Sequence, residues 1–187
     1  DHTSNYSGKY SLNANIMVSN MSNNFFAKEM KPDVVITIGG LTGDYGIYGR
    51  LFAGNSDSFE HWRVSTDGDV VDTYGKLTKI FEATEKQFFE SFSGEEVEHS
   101  YYETWKVQLN RACYDMELPL SNAYIAQQLH KDIPANSFLN LAILNSLRTW
   151  SYFPIDKSIK TYSNLAAFGI DGCLSTFLGE SVDEEHL

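Results

Sequence analysis

Two short stretches in the second half of the chain combine residue types suited to binding a ligand. The first is Asn145-Ser146-Leu147-Arg148, and the second is Gly169-Ile170-Asp171-Gly172. A serine hydroxyl can donate a hydrogen bond to a carboxylate, and an arginine can pair with one through two parallel bonds. Glycines at the start of a helix let the backbone approach a ligand closely and direct free N–H groups at it. The two stretches therefore predict a ligand site that includes carboxylate contacts.

Strands of an α/β sheet should position both stretches. An apolar run predicts a strand near 138–144, and Arg148 would begin the helix that follows. A second strand is expected near 161–163, and a second helix from Ile170. Open α/β sheets place their ligands at the carboxyl ends of the strands, where Asn145 and Ser146 would lie. An Asn-Ser helix cap with an exposed arginine is the alternative that the residues alone favour.

The first half of the chain also alternates between helix and strand patterns. Ser22 is a suitable N-cap for a helix over 22–30, and Thr84 with Gln87 forms a capping box for a helix over 85–92. The β-branched run at 33–38 is typical of a strand that is covered on both faces. Further strands are expected at 61–64 and 77–83. Such alternation indicates a parallel α/β sheet with right-handed crossovers.

The fold class predicted from this alternation is α/β, with a Rossmann-like parallel sheet followed by the start of a second doubly wound domain. We place the first domain at 1–93. A polar, acidic linker and a helix over 101–113 occupy 94–117, and the N-terminal part of a truncated second domain occupies 118–187. The chain does not begin with Met, and we expect it to be an excised piece of a longer protein.

Charge and composition exclude several classes of protein. The chain has 187 residues, 25 of them acidic and 14 basic, for a formal charge of -11 that would repel nucleic acids and anionic membranes. Two cysteines are too few for a disulfide framework, and no apolar run approaches the length of a membrane span. We expect a cytoplasmic protein without membrane insertion.

Other motifs that could suggest a cofactor do not have the required spacing. The glycines of 39–50 match neither the dinucleotide-binding pattern nor a P-loop, and close packing of a helix on the sheet explains them better. Gly68-Asp69 could begin a Gly-Asp…Asn motif for Mg²⁺, but the asparagine is missing from the expected place downstream. We therefore interpret Gly68-Asp69 as a turn. The five histidines show no metal-ligand spacing. We therefore expect no metal ligands in this chain.

The paired motifs at 139–148 and 163–176 resemble a family of thiamine-diphosphate enzymes, the 2-succinyl-5-enolpyruvyl-6-hydroxy-3-cyclohexene-1-carboxylate synthases of menaquinone biosynthesis. A strand ending in Asn-Ser, followed by a loop with Gly-Ile-Asp-Gly-x-x-Ser-Thr, is fairly specific for that family. The resemblance implies that the chain spans the central domain and the start of the diphosphate-binding domain. Two positions differ from the common pattern: Leu144 replaces a glycine, and Leu165 replaces an arginine.

The resemblance also implies roles for individual residues. Ile170 would lie beneath the cofactor and hold it in a bent shape. Asn145 and Ser146 would bind substrate rather than cap a helix, and Arg148 would join them. The residues implied in cofactor binding are Asn164, Gly169, Ile170, Asp171 and Gly172.

A complete enzyme of this family would use thiamine diphosphate and Mg²⁺ to decarboxylate 2-oxoglutarate and add the succinyl-semialdehyde carbanion to isochorismate. The resemblance implies a homo-oligomer, a dimer or tetramer, with the site shared between subunits. The activating glutamate and the Gly-Asp/Asn metal motif would lie outside this chain, so we expect the chain alone to bind no cofactor and to be inactive. The alternatives are another thiamine-diphosphate-dependent decarboxylase or carboligase, and a non-catalytic α/β module that serves dimer assembly.

Overall fold

The computed structural model describes residues 2–39, 49, 59–92, 100–112, 114–165 and 171–182. The chain divides into two compact units, each containing one parallel sheet. The first-sheet unit comprises Met21–Gly40 and Tyr45–Trp105, and the second-sheet unit consists mainly of Asp1–Asn20 and Lys106–Leu187. The predicted α/β class and the presence of two separate sheets are confirmed.

The first-sheet unit contains three parallel strands in the order β1-β2-β3. These are β1 (Val34–Ile38), β2 (Glu60–Ser65) and β3 (Leu77–Glu82). All three lie where the sequence predicts strands. Gly39 follows β1 with φ of +74°, a conformation that glycine adopts without the steric cost of a Cβ.

The prediction that β1 is covered on both faces is wrong. Val34, Ile36 and Ile38 remain 37–39% exposed. Among the described residues β1 is hydrogen-bonded to β2 alone, so it lies at the edge of the sheet rather than in its centre. An apolar, β-branched run indicates a strand but does not specify its place in the sheet.

Helices of the first-sheet unit begin at the predicted caps. The helix α2 (Asn23–Phe25) starts after Ser22, whose hydroxyl accepts from the Phe25 N–H, and it continues as a π-helix over Phe26–Met30. The helix α3 (Glu85–Ser91) starts after Thr84, and the predicted capping box with Gln87 is complete in both directions. Each cap satisfies backbone donors that have no partner inside the helix.

An aromatic cluster joins α3 to the sheet. Phe88 is 3% exposed, and its ring centre lies 4.9 Å from that of Phe81 on β3. Trp62 on β2 lies 5.5 Å from Phe81, and Phe92 lies 4.8 Å from Phe88. Burial of these rings is the main apolar contribution of α3 to the unit. The chain continues with the helix α4 (Ser100–Asn110).

The second-sheet unit contains two parallel strands and three helices in its described C-terminal part. The strands are β4 (Phe138–Asn140) and β5 (Lys160–Tyr162). The helices are α5 (Asn122–Leu129), α6 (Asn145–Trp150) and α7 (Cys173–Ser181). Both strands and the helices α6 and α7 were predicted, but β4 is shorter than expected, α6 begins three residues before Arg148, and α7 begins three residues after Ile170.

An N-terminal segment that was not predicted to form structure packs within the second-sheet unit. It contains a 3-10 helix (His2–Ser4) and the helix α1 (Asn15–Ser19). The Asn5 side chain accepts from the Thr161 N–H at 2.8 Å and donates to the Thr161 carbonyl at 3.0 Å. Its amide therefore pairs with the outer edge of β5 as a neighbouring strand would. The domain boundaries at 93 and 118 stay a prediction.

Candidate functional site

The carboxyl ends of β4 and β5 bring the two sequence motifs to one edge of the second sheet. The strands are parallel, with Leu139 opposite Thr161, so the segments that follow both strands leave the sheet at the same edge. The Leu141 N–H donates to the Tyr162 carbonyl at 2.8 Å and extends the pairing one residue beyond β4. Asn145 follows from β4, and Asn164 follows from β5.

Asn145 and Ser146 do not cap a helix. The N-cap of α6 is Leu144, and no side chain there accepts from the first turn. Asn145 is exposed and Ser146 is partly exposed, and neither side chain has a hydrogen-bond partner in the described part of the chain. Their backbone carbonyls accept from the Thr149 hydroxyl at 2.7 and 3.2 Å. The helix-cap interpretation is therefore wrong, and both side chains are available to a ligand.

Arg148 lies on the same side of α6 as Asn145. The two are three residues apart in the helix, a spacing that places side chains next to each other. The Arg148 side chain is partly buried. The three residues predicted to bind substrate therefore share the first turn and a half of α6.

Asn164 lies against the start of α7. The Cys173 thiol donates to the Asn164 Oδ1 at 3.3 Å, and a Cβ placed on Gly172 would lie 3.6 Å from the Asn164 Nδ2. The structure thus brings Asn164 and Gly172 together, with Asp171 exposed beside them. Gly172 has an ordinary φ of -87°, so the backbone does not require glycine there. Gly169 and Ile170 lie outside the described residues.

Polar groups at this edge fit a bound ligand. Ser163, between β5 and Asn164, has a buried Oγ without a hydrogen-bond partner in the described segments. A buried hydroxyl without a partner is costly, so it is a natural contact for a ligand or a water. Asn140 at the end of β4 donates to Glu180 on α7 at 2.9 Å. That bond ties α7 to the sheet.

Sequence reasoning did not identify the conformation of Leu144 as a feature of the site. Leu144 has φ of +73° and ψ of -112°, which is strained backbone for any residue with a Cβ. The only signal in the sequence was that leucine replaces a glycine that is common at this point in the resembling family.

A separate buried polar cluster lies in the first-sheet unit. His61 on β2 is fully buried, with its Nε2 2.9 Å from the Thr37 hydroxyl and its Nδ1 3.6 Å from Asp72. Burial lowers the pKa of His61 below its ordinary value, while the Asp72 carboxylate opposes that change. Arg63 is 8% exposed and donates to the Asp69 carbonyl at 3.1 Å. No sequence motif indicated this cluster.

Within the described ranges, no group of three or more His, Cys, Asp or Glu side chains could hold a metal ion. No described helix has the length and apolar character needed to cross a membrane.

Curated relatives with one shared name cover most of the chain. The chain is 28% identical over 161 residues to the 2-succinyl-5-enolpyruvyl-6-hydroxy-3-cyclohexene-1-carboxylate synthase of Bacteroides thetaiotaomicron, and the match covers 85% of the chain. It is 27% identical over 164 residues to the Flavobacterium johnsoniae synthase of the same name, across 83% of the chain. The Christiangramia forsetii synthase is 39% identical over 72 residues, 38% of the chain.

The chain is therefore similar to these synthases over most of its length. It spans 28% of the length of the B. thetaiotaomicron synthase and 29% of that of F. johnsoniae. No general protein-family model matches the chain. The resemblance that the paired motifs suggested is therefore confirmed by the shared name of these relatives.

Proposed function

We propose that this chain forms part of a thiamine-diphosphate-dependent synthase that decarboxylates 2-oxoglutarate and adds the succinyl-semialdehyde carbanion to isochorismate. The similarity to synthases of this name supports a role in menaquinone biosynthesis. The observation that carries the proposal further is the pair Asn145 and Ser146, whose side chains lie without hydrogen-bond partners in the described structure at the carboxyl edge of a parallel sheet.

The substrates that we propose carry several carboxylates, which these side chains can bind. The Ser146 hydroxyl and the Asn145 amide would donate to carboxylate oxygens, and Arg148 would supply the positive charge. The charge of Arg148 matters because the chain has a formal charge of -11 and would otherwise repel an anionic substrate. These residues would bind and orient substrate rather than exchange protons with it.

The cofactor would lie beside the loop that joins β5 to α7. Asn164 and Gly172 lie near the two ends of this loop, and the buried Ser163 Oγ has no hydrogen-bond partner among the described residues. Asp171 would bind at the same place, and we keep Gly169 and Ile170 in the proposed set from the sequence motif. When bound, thiamine diphosphate supplies the carbanion chemistry, and the protein orients the reactants and balances their charge.

Several parts of a working enzyme would come from outside this chain. We propose that Mg²⁺ ligands and an activating glutamate lie elsewhere in the full-length protein, and that the site is completed in a homo-oligomer. The share of the relatives that the chain covers supports this division, because more than two thirds of their length is not represented here. We place the full-length enzyme in the cytoplasm.

Steady-state kinetics of the full-length enzyme tests the substrate contacts. We expect Ser146→Ala and Arg148→Ala each to lower kcat/KM, because each removes a charge-assisted contact worth roughly 1.5 to 3 kcal/mol. Affinity for thiamine diphosphate should change little.

Asn122→Ala is the matched control for the companion variant Asn145→Ala, since each asparagine is the exposed first residue of its helix. Asn122→Ala should leave kcat/KM unchanged, whereas Asn145→Ala should lower it. Wild-type rates in all three variants at Asn145, Ser146 and Arg148 would rule out the proposed substrate contacts.

A further inference from the structure

Leu144 has an unusual combination of backbone strain and side-chain exposure. Its φ of +73° lies in the region that L-residues rarely adopt. Its side chain is 39% exposed, whereas the apolar neighbours Leu141, Ile143 and Leu147 are 3%, 7% and 2% exposed. The segment therefore buries the apolar residues on both sides of Leu144 but leaves Leu144 itself at the surface.

Burial in this chain does not explain why a leucine occupies this position. Glycine would form the same turn without a steric clash of Cβ, and Asn136, another residue with positive φ in this unit, belongs to a type that tolerates this conformation. A strained residue that its own packing does not account for is characteristic of a functional site. The leucine is therefore needed for its side chain, since glycine could form the turn.

We propose that the Leu144 side chain is a specificity-determining contact, which packs against the hydrocarbon part of a substrate whose carboxylate binds Asn145 and Ser146. This inference rests on the proposed function. Leu144 directly precedes those two residues, and its exposed side chain emerges at the same edge of the sheet. A carboxylate held by polar side chains, with adjacent CH groups against an apolar one, is the usual composition of a small-molecule site.

Either proposed substrate has the required chemistry. 2-Oxoglutarate carries two methylene groups between its keto group and one carboxylate, and isochorismate carries one of its two carboxylates on a carbon ring. Kinetic measurements in which the concentration of each substrate is varied in turn distinguish these two substrates. The substrate whose KM rises is the one that contacts Leu144.

Three variants of the full-length enzyme separate the side chain from the turn. Leu144→Ala keeps a Cβ in the strained conformation but removes the apolar contact, so we expect KM for one substrate to rise roughly tenfold, with kcat within about threefold. Leu144→Gly should raise the same KM equally and should unfold at no lower temperature than Leu144→Ala, because it also relieves the strain. Leu144→Met, which conserves volume, should keep KM within about threefold of wild type.

Asn136→Gly is the matched control. Asn136 has φ of +60° and precedes the amino end of β4, whereas Leu144 follows its carboxyl end. This variant changes a similar backbone conformation on the other side of the same strand, and it should leave both KM values unchanged.

Three outcomes would overturn the contact. In the first, Leu144→Ala keeps wild-type KM for both substrates. In the second, only Leu144→Gly raises KM, which would assign the effect to the backbone. In the third, Asn136→Gly raises KM as much as Leu144→Ala does. A wild-type enzyme that turns over neither substrate would instead overturn the proposed function, and the contact with it.

Discussion

The imidazole of His61 is enclosed by side chains of the first-sheet unit. The Thr37 hydroxyl, the Asp72 carboxylate and the Tyr74 ring face it, and the ring centres of His61 and Tyr74 are 4.9 Å apart. Arg63, two residues along the same strand, adds a nearby positive charge that disfavours protonation. A charged imidazole would lose its hydration in this position, where the described residues place one partly exposed carboxylate, that of Asp72, beside it.

We expect acid to destabilise the fold through His61. Burial lowers the pKa of His61 in the folded state, so the unfolded chain takes up a proton first as the pH falls through about 6.5. The stability that neutral His61 contributes is therefore present above that pH. It is lost as the pH falls from there to the pKa of His61 in the folded state. Thermal unfolding, followed by circular dichroism at pH 7.5 and 5.5, should show a smaller pH effect in His61→Gln than in wild type.

His2 provides the comparison for this measurement. Burial also lowers the pKa of His2, whose Nε2 lies 3.0 Å from the Trp150 carbonyl and 2.8 Å from that of Phe153. The variant His61→Gln should therefore remove only part of the pH effect, and adding His2→Gln should remove more. An identical pH effect in wild type and His61→Gln would contradict the prediction.

At the scale of elements, α3 contacts the first sheet through one side of its surface. Phe88 is 3% exposed, whereas the next residue, Phe89, is 54% exposed. Successive residues of a helix point in directions about 100° apart, so Phe88 enters the aromatic cluster while Phe89 stays largely at the surface, its ring centre 5.2 Å from that of Phe88. The two residues therefore form a matched pair for measuring what this contact contributes.

Phe88→Ala should destabilise the first-sheet unit by roughly 3 to 5 kcal/mol, because it leaves a cavity among Phe81, Phe92 and the sheet. Phe89→Ala should cost less than about 1 kcal/mol, since Phe89 is already more than half exposed to solvent. Urea unfolding of both variants measures the difference. Equal destabilisation by the two changes would mean that α3 does not pack on the sheet as described.

At the scale of the whole molecule, the excess of acidic residues should prevent this chain from retaining the cofactor by itself. Thiamine diphosphate carries a negative diphosphate, and the chain has a formal charge of -11. Without the proposed external Mg²⁺ ligands, repulsion should exceed the attraction of the loop before α7.

Isothermal titration of residues 1 to 187 with thiamine diphosphate and Mg²⁺ should therefore show no binding in the micromolar range. The full-length protein, measured in the same buffer, serves as the positive control. Micromolar binding to residues 1 to 187 would place the whole cofactor site within this chain and would contradict the division that we propose.

Local patterns in the sequence were sufficient to predict most elements of both units. The β-branched run of β1, the hydroxyl cap at Ser22 and the capping box at Thr84 each depend on residues a few positions apart. The paired motifs around Asn145 and Gly172 also belong to the sequence alone, and they indicate the resemblance to the synthases. Each of these features is encoded by neighbouring residues.

Tertiary structure decided the features that depend on distant residues. Asn5 pairs with Thr161 across 156 positions, and Thr37 meets His61 across 24. The place of β1 at the sheet edge and the strained turn at Leu144 likewise follow from how whole elements pack, which no short window of sequence records. The sequence by itself therefore determined most of the elements and the residues that we propose carry the chemistry. Packing between distant segments decided which side chains are enclosed and which remain available to a ligand.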